Sequence, residues 1–414
     1  MFNLIKNGYK GIIYSIILVL CMTGMFKFFG VSLRANFGWI VGLLVISAVL
    51  YIFVFAKKNA YIKSTIGVLR SGSDVKFDVF RIIAFNLVII NHIISMDLEK
   101  FVGIPKDIYS LIYSFCEVAN PLYIMLSGAL LLGYREESLY DFYTKRVTKV
   151  ALPMIVYYFF AMLLCGQPLN LDNLKVGFTA LYNGRTIYTP QYWLMYTLLE
   201  LYIVVPFFRQ MIKNLPYKML TNIVIITLVY SGILIYLPVR IGVIPAFADY
   251  LGVFIIGYWL KLDETRKYDR LIWIGSVISA IVLLILYFTR VENYLYYIIN
   301  YAPVCVIMGM GIMSLFYAKK NYSSKNNYVI AFLSKYSFGV MLIHSVITLY
   351  VRNELHIDCS SYGMIGGFII YYLLSVVFCL IMAYLIDNTA VFIVKYIIDG
   401  LFSSIKKLIP TKEK

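Results

Sequence analysis

Apolar runs long enough to cross a lipid bilayer dominate this chain. A transmembrane helix needs about 20 mostly apolar residues, and twelve such segments lie near residues 10–29, 37–56, 79–96, 108–132, 151–166, 191–208, 219–237, 245–261, 271–289, 294–316, 336–351 and 362–386. Each segment must be helical, because an open chain in lipid satisfies its backbone hydrogen bonds only within a helix. The pattern therefore predicts an all-α polytopic membrane protein with about twelve transmembrane helices.

The composition supports this class and sets an orientation. Of the 414 residues, 61% are hydrophobic and 14% are charged, and the net charge is +16. Soluble domains carry about 25% charged residues. Most of the 37 lysines and arginines fall in alternate loops, as expected of loops that stay cytoplasmic. We therefore predict a multi-pass protein of the cell membrane, embedded in the lipid bilayer, with both termini cytoplasmic and no nucleic-acid partner.

A polar, basic segment at residues 57–78 divides the chain into two unequal parts. It separates the first two spans from the other ten. We predict a two-helix N-terminal membrane extension (1–60), a cytoplasmic linker (61–77), a ten-helix membrane core (78–398) and a basic cytoplasmic tail (399–414). The six cysteines show no C-x-x-C spacing and there are three histidines, so we expect no metal site.

The third span carries the most informative pair of polar residues. Arg81 and His92 are eleven residues apart, which places them on one helix face about 16 Å apart along the axis. Asp78 precedes Arg81 by three residues and joins the same face. Ionisable groups inside a membrane are costly and usually functional. The alternatives are that Arg81 only flanks the membrane and that His92 only bonds a neighbouring helix.

Two further groups are candidates for chemistry. Glu117 lies in the fourth span at a depth close to that of His92, and a carboxylate facing an imidazole would fix its tautomer and raise its basicity. Whether those two helices touch stays open at this point. Arg146 and Lys149, three residues apart beside the membrane, fit either lipid headgroups or the phosphates of an anionic cofactor.

Three other residues of the spans are candidates for contacts with a substrate. Trp193 opens the sixth span, where an interfacial aromatic residue is typical. Glu200 lies near the centre of that span and is expected to be a buried carboxylate, with either a structural or a functional role. His344 in the eleventh span is the second intramembrane histidine.

Six fragments resemble, in order, the motifs of the acyltransferase-3 family of integral membrane O-acyltransferases. They are DVFR (78–81) with ten residues between it and His92, then residues 120–128, 145–153, 191–206, 254–258 and 335–344. There are departures from the family pattern: Gln191 replaces a frequent histidine, Glu200 a common glycine and Asn120 an aliphatic residue. No single fragment is specific, but their order across the chain is.

The resemblance implies an acyltransferase that moves an acyl group, usually acetyl, from cytoplasmic acyl-CoA to a hydroxyl of a cell-envelope or exported carbohydrate. Acetyl-CoA is the expected donor and a carbohydrate the expected acceptor, with no metal. We assign roles in three groups: His92 and Glu117 as catalytic; Arg81, Arg146 and Lys149 as donor-binding; Asp78, Trp193, Glu200 and His344 as substrate-binding.

Two other functions remain compatible with the sequence. A transporter or flippase for an envelope glycan precursor would also have about twelve spans and buried carboxylates, but it would form no covalent product. A structural or sensor module would use the intramembrane charges only for helix packing, and it would tolerate substitution of His92 and Glu117.

Overall fold

The computed structural model describes residues 75–133, 137–168, 170–237, 250–291, 294–298, 301–318 and 328–408. Over these residues the chain is helical and contains no β-strand. Its α-helices are α1 (Val75–Asp97), α2 (Ile104–Cys116), α3 (Ala119–Leu131), α4 (Leu139–Arg146), α5 (Leu152–Leu164), α6 (Leu171–Tyr182), α7 (Tyr192–Lys213), α8 (Tyr217–Tyr236), α9 (Tyr250–Lys261), α10 (Asp269–Phe288), α11 (Pro303–Ala318), α12 (Tyr328–Asn353), α13 (Gly363–Ile386) and α14 (Phe392–Leu408). The predicted extension, with its two spans, and nearly all of the predicted linker lie outside the described residues.

Of the ten spans predicted from residue 79 onward, eight coincide with described helices that are long and apolar enough to cross a membrane. The other two overlap α9 and α11, which are shorter apolar helices. The described chain is therefore a multi-pass bundle of membrane helices, and α14 continues past the predicted end of the core.

The outer surface of the bundle is apolar, as a lipid-facing surface must be. Along α10, large aliphatic side chains at three- and four-residue spacing are exposed: Leu271, Ile274, Ile278, Ile281 and Ile285. Helical residues at this spacing share one face. A soluble protein rarely exposes a continuous apolar face of this size, whereas in a bilayer the lipid tails cover it.

Helix α1 lies inside the bundle, where it packs against α2, α3, α12 and α13. Helices α3 and α9 approach each other to backbone contact. A Cβ atom at Gly128 would overlap the backbone carbonyl of Phe254, and one at Gly257 would overlap the carbonyl of Met125. Small residues let membrane helices approach to backbone contact, so these two glycines set the distance between α3 and α9.

The fourth predicted span is broken at its middle. Helix α2 ends at Cys116 and α3 begins at Ala119. Pro121 has no N–H to donate to the carbonyl of Glu117 one turn earlier, so the α-helical ladder cannot continue through this point. Glu117 and Val118 form a turn at this break, the α2–α3 bend, and both side chains are buried.

Asp97, at the far end of α1, is fully buried and joins three segments. Its carboxylate accepts a hydrogen bond from Arg352 Nε at 2.9 Å and one from the backbone N–H of Cys359 at 3.0 Å, and it lies 3.0 Å from Lys100 Nζ. Lys100 also pairs with Asp358 at 2.6 Å. Partial burial opposes ionisation, but Lys100 and neighbouring serine donors hold the pKa of Asp358 well below its usual range.

Replacing Gly257, one of the two glycines at the contact of α3 with α9, by alanine will destabilise the bundle. Gly257→Ala places a methyl group against the Met125 backbone, and overpacking of this kind costs roughly 1–3 kcal/mol. We expect a lower Tm in detergent. Gly400→Ala is the matched control, because nothing lies within 4 Å of a Cβ at that position; equal Tm values for the two variants would contradict the close contact.

Removing the Asp97 carboxylate will also destabilise the bundle. Asp97→Ala leaves Arg352 without its buried partner, and breaking a buried ion pair costs roughly 3–5 kcal/mol. We expect the Tm to fall well below that of Glu99→Ala, which removes an exposed acid two residues further along. A Tm for Asp97→Ala within error of wild type would show that the contacts of Asp97 do not stabilise the fold.

Candidate functional site

A cavity of about 420 Å³ lies where α1, the bend between α2 and α3, the start of α7 and α12 meet. Its polar lining comes from six side chains: Asn91, His92, Tyr113, Glu117, Asn120 and Gln191. Trp193 adds an indole, which is 39% exposed. An apolar protein interior with a few converging polar groups is typical of a ligand site, so this cavity is the candidate functional site.

His92 contacts the second intramembrane histidine. The ring centroids of His92 and His344 are 4.8 Å apart, and the rings are inclined by 50°. His344 is 1% exposed, and its Nδ1 lies 2.9 Å from the carbonyl oxygen of Met341. A carbonyl only accepts hydrogen bonds, so Nδ1 carries the proton and Nε2 of a neutral His344 keeps its lone pair. His344 therefore packs against the His92 ring, and it is not one of the residues that line the cavity.

Glu117 lines the same cavity as His92, but the direct pairing considered from sequence is not formed. The buried Glu117 carboxylate accepts a hydrogen bond from Asn91 Nδ2 at 2.9 Å, and the Tyr113 hydroxyl lies beside it. Within the described residues no hydrogen bond joins Glu117 to His92. The amide of Asn91, adjacent to His92 on α1, takes the carboxylate instead.

Arg81 is held near the beginning of α1 by two partners. Its Nη1 donates to Asp78 Oδ1 at 2.8 Å and to Ser334 Oγ at 3.3 Å, and Ser334 Oγ donates to Asp78 Oδ1 at 2.6 Å. Asp78 is buried and lies about 21 Å along α1 from His92 at 1.5 Å per residue. Asp78 therefore orients the Arg81 guanidinium, and it does not line the cavity.

A second cation lies near Arg81. The Arg146 guanidinium lies over the rings of Phe142 and Tyr202, at 5.0 and 5.6 Å from their centroids. Tyr202, whose hydroxyl is 3.4 Å from Ser127 Oγ, is within electrostatic reach of both Arg81 and Arg146. The two arginines thus flank one tyrosine at the end of the bundle opposite Asp97.

Arg146 and Lys149, which the sequence predicts to share one helix face, differ in their exposure. The chain from Val147 to Ala151 forms a π-helical turn, which changes the angle between successive side chains. Arg146 turns inward onto the buried Phe142 ring, whereas Lys149 is exposed. A spacing of three residues places two side chains on one face only in a regular α-helix. The sequence does not show that a π-helical turn occurs here.

The two candidate residues of the sixth span, Trp193 and Glu200, occupy different environments. Trp193 lines the cavity and packs against Tyr250, with ring centroids 5.8 Å apart. Glu200 is exposed on α7 and is not among the cavity residues, so the expectation that it is buried is wrong. In a membrane helix both faces are apolar, so the hydropathy of a span does not reveal which side of it faces the bundle.

Some of the residues that line the cavity do not stand out in the sequence. Asn91 and Tyr113 belong to no motif, although Tyr113 lies four residues before Glu117 and so shares its helix face. Gln191 and Asn120 stand out only as departures from a family pattern. The positions of Asn91 and Tyr113 in the sequence are informative all the same: the first is adjacent to His92, and the second lies one helical turn from Glu117.

The arrangement combines an imidazole in a polar cavity with two cations further along the same bundle. An imidazole so placed can take or give a proton, and paired arginines suit phosphate groups. No curated protein and no solved structure matches the chain. The acyltransferase-3 family model, described as an acyltransferase domain, matches residues 74–384. This match covers α1 to most of α13 and every residue of the site, and the chain therefore belongs to the acyltransferase-3 family of membrane acyltransferases.

Proposed function

We propose that this protein is a membrane O-acyltransferase that moves an acyl group, acetyl in the first instance, from cytoplasmic acyl-CoA to a hydroxyl of a cell-envelope or exported carbohydrate. One observation carries the proposal: a single uninterrupted helix, α1, presents Arg81 beside a second arginine and, eleven residues on, presents His92 to a polar cavity. The spacing corresponds to about 16 Å.

The arginine end of the bundle is the proposed donor site. Arg81 and Arg146 would bind the phosphates of CoA, because guanidinium groups match phosphate oxygens in charge and geometry. The Asp78 and Ser334 contacts fix the direction of the Arg81 guanidinium. Lys149, exposed at the same end, adds positive charge that would meet either the nucleotide part of CoA or lipid headgroups. The flexible arm of CoA would then run along α1 toward His92.

The proposed reaction is a direct acyl transfer with His92 as general base. His92 takes the proton of the acceptor hydroxyl while the hydroxyl oxygen bonds to the thioester carbonyl carbon. The carbon–sulfur bond breaks, and the departing thiolate receives the proton from the imidazolium. The products are the ester and free CoA, and His92 returns to its neutral form.

The neighbours of His92 have supporting roles in this scheme. His344 packs against the His92 ring and holds its orientation. Glu117, fixed by Asn91, faces the same cavity and would stabilise the transient imidazolium through its charge. Trp193 would offer its indole face to a sugar ring. Glu200, exposed outside the cavity, receives no role.

Replacing His92 will abolish transfer while leaving donor binding intact. We expect His92→Asn to lower the rate of label transfer from radiolabelled acetyl-CoA to a cell-envelope fraction by about 10²–10⁴-fold, the usual contribution of a general base. Saturable acetyl-CoA binding should persist in purified protein in nanodiscs.

His356→Asn is the matched control for this substitution. His356 lies in the loop after α12 with a φ of 53°, a conformation that asparagine tolerates. The His356→Asn variant should therefore transfer the label at the wild-type rate. Near-normal transfer by His92→Asn would rule out the mechanism. Movement of a glycan precursor by the wild type, without any covalent product, would favour the transporter.

Replacing Arg81 will weaken donor binding. Loss of a charged hydrogen bond costs about 1.5–3 kcal/mol, so Arg81→Ala should raise the Kd for acetyl-CoA by about 10–100-fold. Arg270→Ala removes an exposed arginine at the start of α10 and should leave the Kd unchanged. Equal Kd values for the two variants would mean that overall charge, and not the position of Arg81, governs donor binding.

A further inference from the structure

Gln191, just before α7, has a side-chain amide whose direction is fixed. It is 4% exposed, and its Nε2 donates to the backbone carbonyl of Leu342 on α12 at 3.0 Å. A carbonyl cannot donate, so the amide nitrogen must face Leu342 and the amide oxygen must point elsewhere. The orientation of Gln191 is therefore set by the protein.

The amide oxygen of Gln191 is buried and has no hydrogen-bond donor among the described residues. Leaving a buried polar atom unsatisfied costs about 1–3 kcal/mol, so such an atom is expected to pair with a protein group, a water molecule or a ligand. Gln191 is one of the residues that line the cavity. The position of this oxygen thus points to a ligand that donates a hydrogen bond.

Two more unpaired polar atoms lie on the α12 segment that Gln191 contacts. His344 Nε2 and Ser345 Oγ are buried without a hydrogen-bond partner in the described part of the chain. They follow Met341, which lines the cavity, by three and four residues and so share its helix face. Three buried polar atoms without a hydrogen-bond partner among the residues that the structure describes thus lie where the start of α7 meets α12.

The lining of the cavity selects the chemical class of this ligand. Asn91, Asn120 and Gln191 contribute amides, and none of the lining residues is a lysine or arginine. An anionic ligand would lack a counter-charge here, and it would face the Glu117 carboxylate. A neutral polyhydroxyl ligand suits amides, because each hydroxyl both donates and accepts a hydrogen bond.

We propose that Gln191 is a specificity-determining residue: its Oε1 accepts a hydrogen bond from a hydroxyl of the acceptor sugar other than the one that is acylated. The inference rests on the proposed function, since it names the group that recognises the acceptor in the same cavity. A site built to bond a hydroxyl rejects an analogue that lacks it by a large factor, because its own buried group is then left unpaired.

The test pairs removal of the amide with removal of single hydroxyls. Wild type, Gln191→Met and Gln210→Met would be assayed with radiolabelled acetyl-CoA and methyl glycosides of glucose, galactose, mannose and N-acetylglucosamine, each with its monodeoxy analogues. Gln210 is exposed on α7 outside the cavity, so Gln210→Met is the matched control.

We expect wild type and Gln210→Met to lose about 10–100-fold in kcat/KM when one particular hydroxyl, distinct from the acylated one, is absent. Gln191→Met should show a similarly low kcat/KM for the parent glycoside and no further loss with that deoxy analogue. Coupling of this kind identifies two groups that interact directly, and the Kd for acetyl-CoA should stay unchanged.

If Gln191→Met does not fold, Gln191→Leu takes its place, because it also lacks the amide oxygen. The proposal is overturned if the variant that folds still loses about 10–100-fold in kcat/KM with the deoxy analogue, as the wild type does. It is also overturned if wild type acetylates an envelope fraction but none of the glycosides. Failure of wild type to acetylate any acceptor would instead overturn the proposed function itself.

Discussion

Charged groups inside a bilayer must be paired, and this requirement fixes the relation between α1 and α12. Asp78 and Arg81 meet Ser334 at one end of the pair, and Asp97 meets Arg352 at the other. Between them His92 lies against His344. All three contacts advance in the same direction along both helices, so α1 and α12 run parallel. The contacts at the two ends are costly to break. They therefore hold the imidazole of His92, which lies between them, in place.

Proline and glycine have separate effects on α3. Pro121 interrupts the hydrogen-bond ladder at Glu117, and the Glu117 carboxylate, which lines the cavity, bonds to Asn91. Further along the same helix, Gly128 and Gly257 let α3 and α9 approach to backbone contact. The first feature therefore ends the regular helix beside the cavity, and the second sets the packing of α3 against α9.

Hydropathy alone predicted the helical class and the eight described helices that are long enough to cross a membrane, because burial in lipid demands long apolar helices. The 3.6-residue period also placed Arg81 and His92 on one face of α1, which is regular throughout. The sequence predicts a buried Glu200, whereas Glu200 is exposed on α7. The sequence also gives no sign of the π-helical turn that contains Lys149. Angular position around a helix depends on tertiary packing, which an apolar sequence encodes weakly when both faces are lipid-compatible. Asn91 was missed because its role depends on the neighbouring α2–α3 bend.

The parallel pairing of α1 with α12 fixes a distance inside the protein. Both ends of α1 are held by contacts with α12, and a helix is stiff along its axis. The separation between the guanidinium of Arg81 and the imidazole of His92 is therefore expected to vary little with bilayer thickness or lipid composition. Under the proposed function, this separation selects donors by length. A small activated acyl compound has no anionic anchor that reaches Arg81 while its carbonyl is at His92, so the distance itself would discriminate a carrier-bound acyl group from a free one.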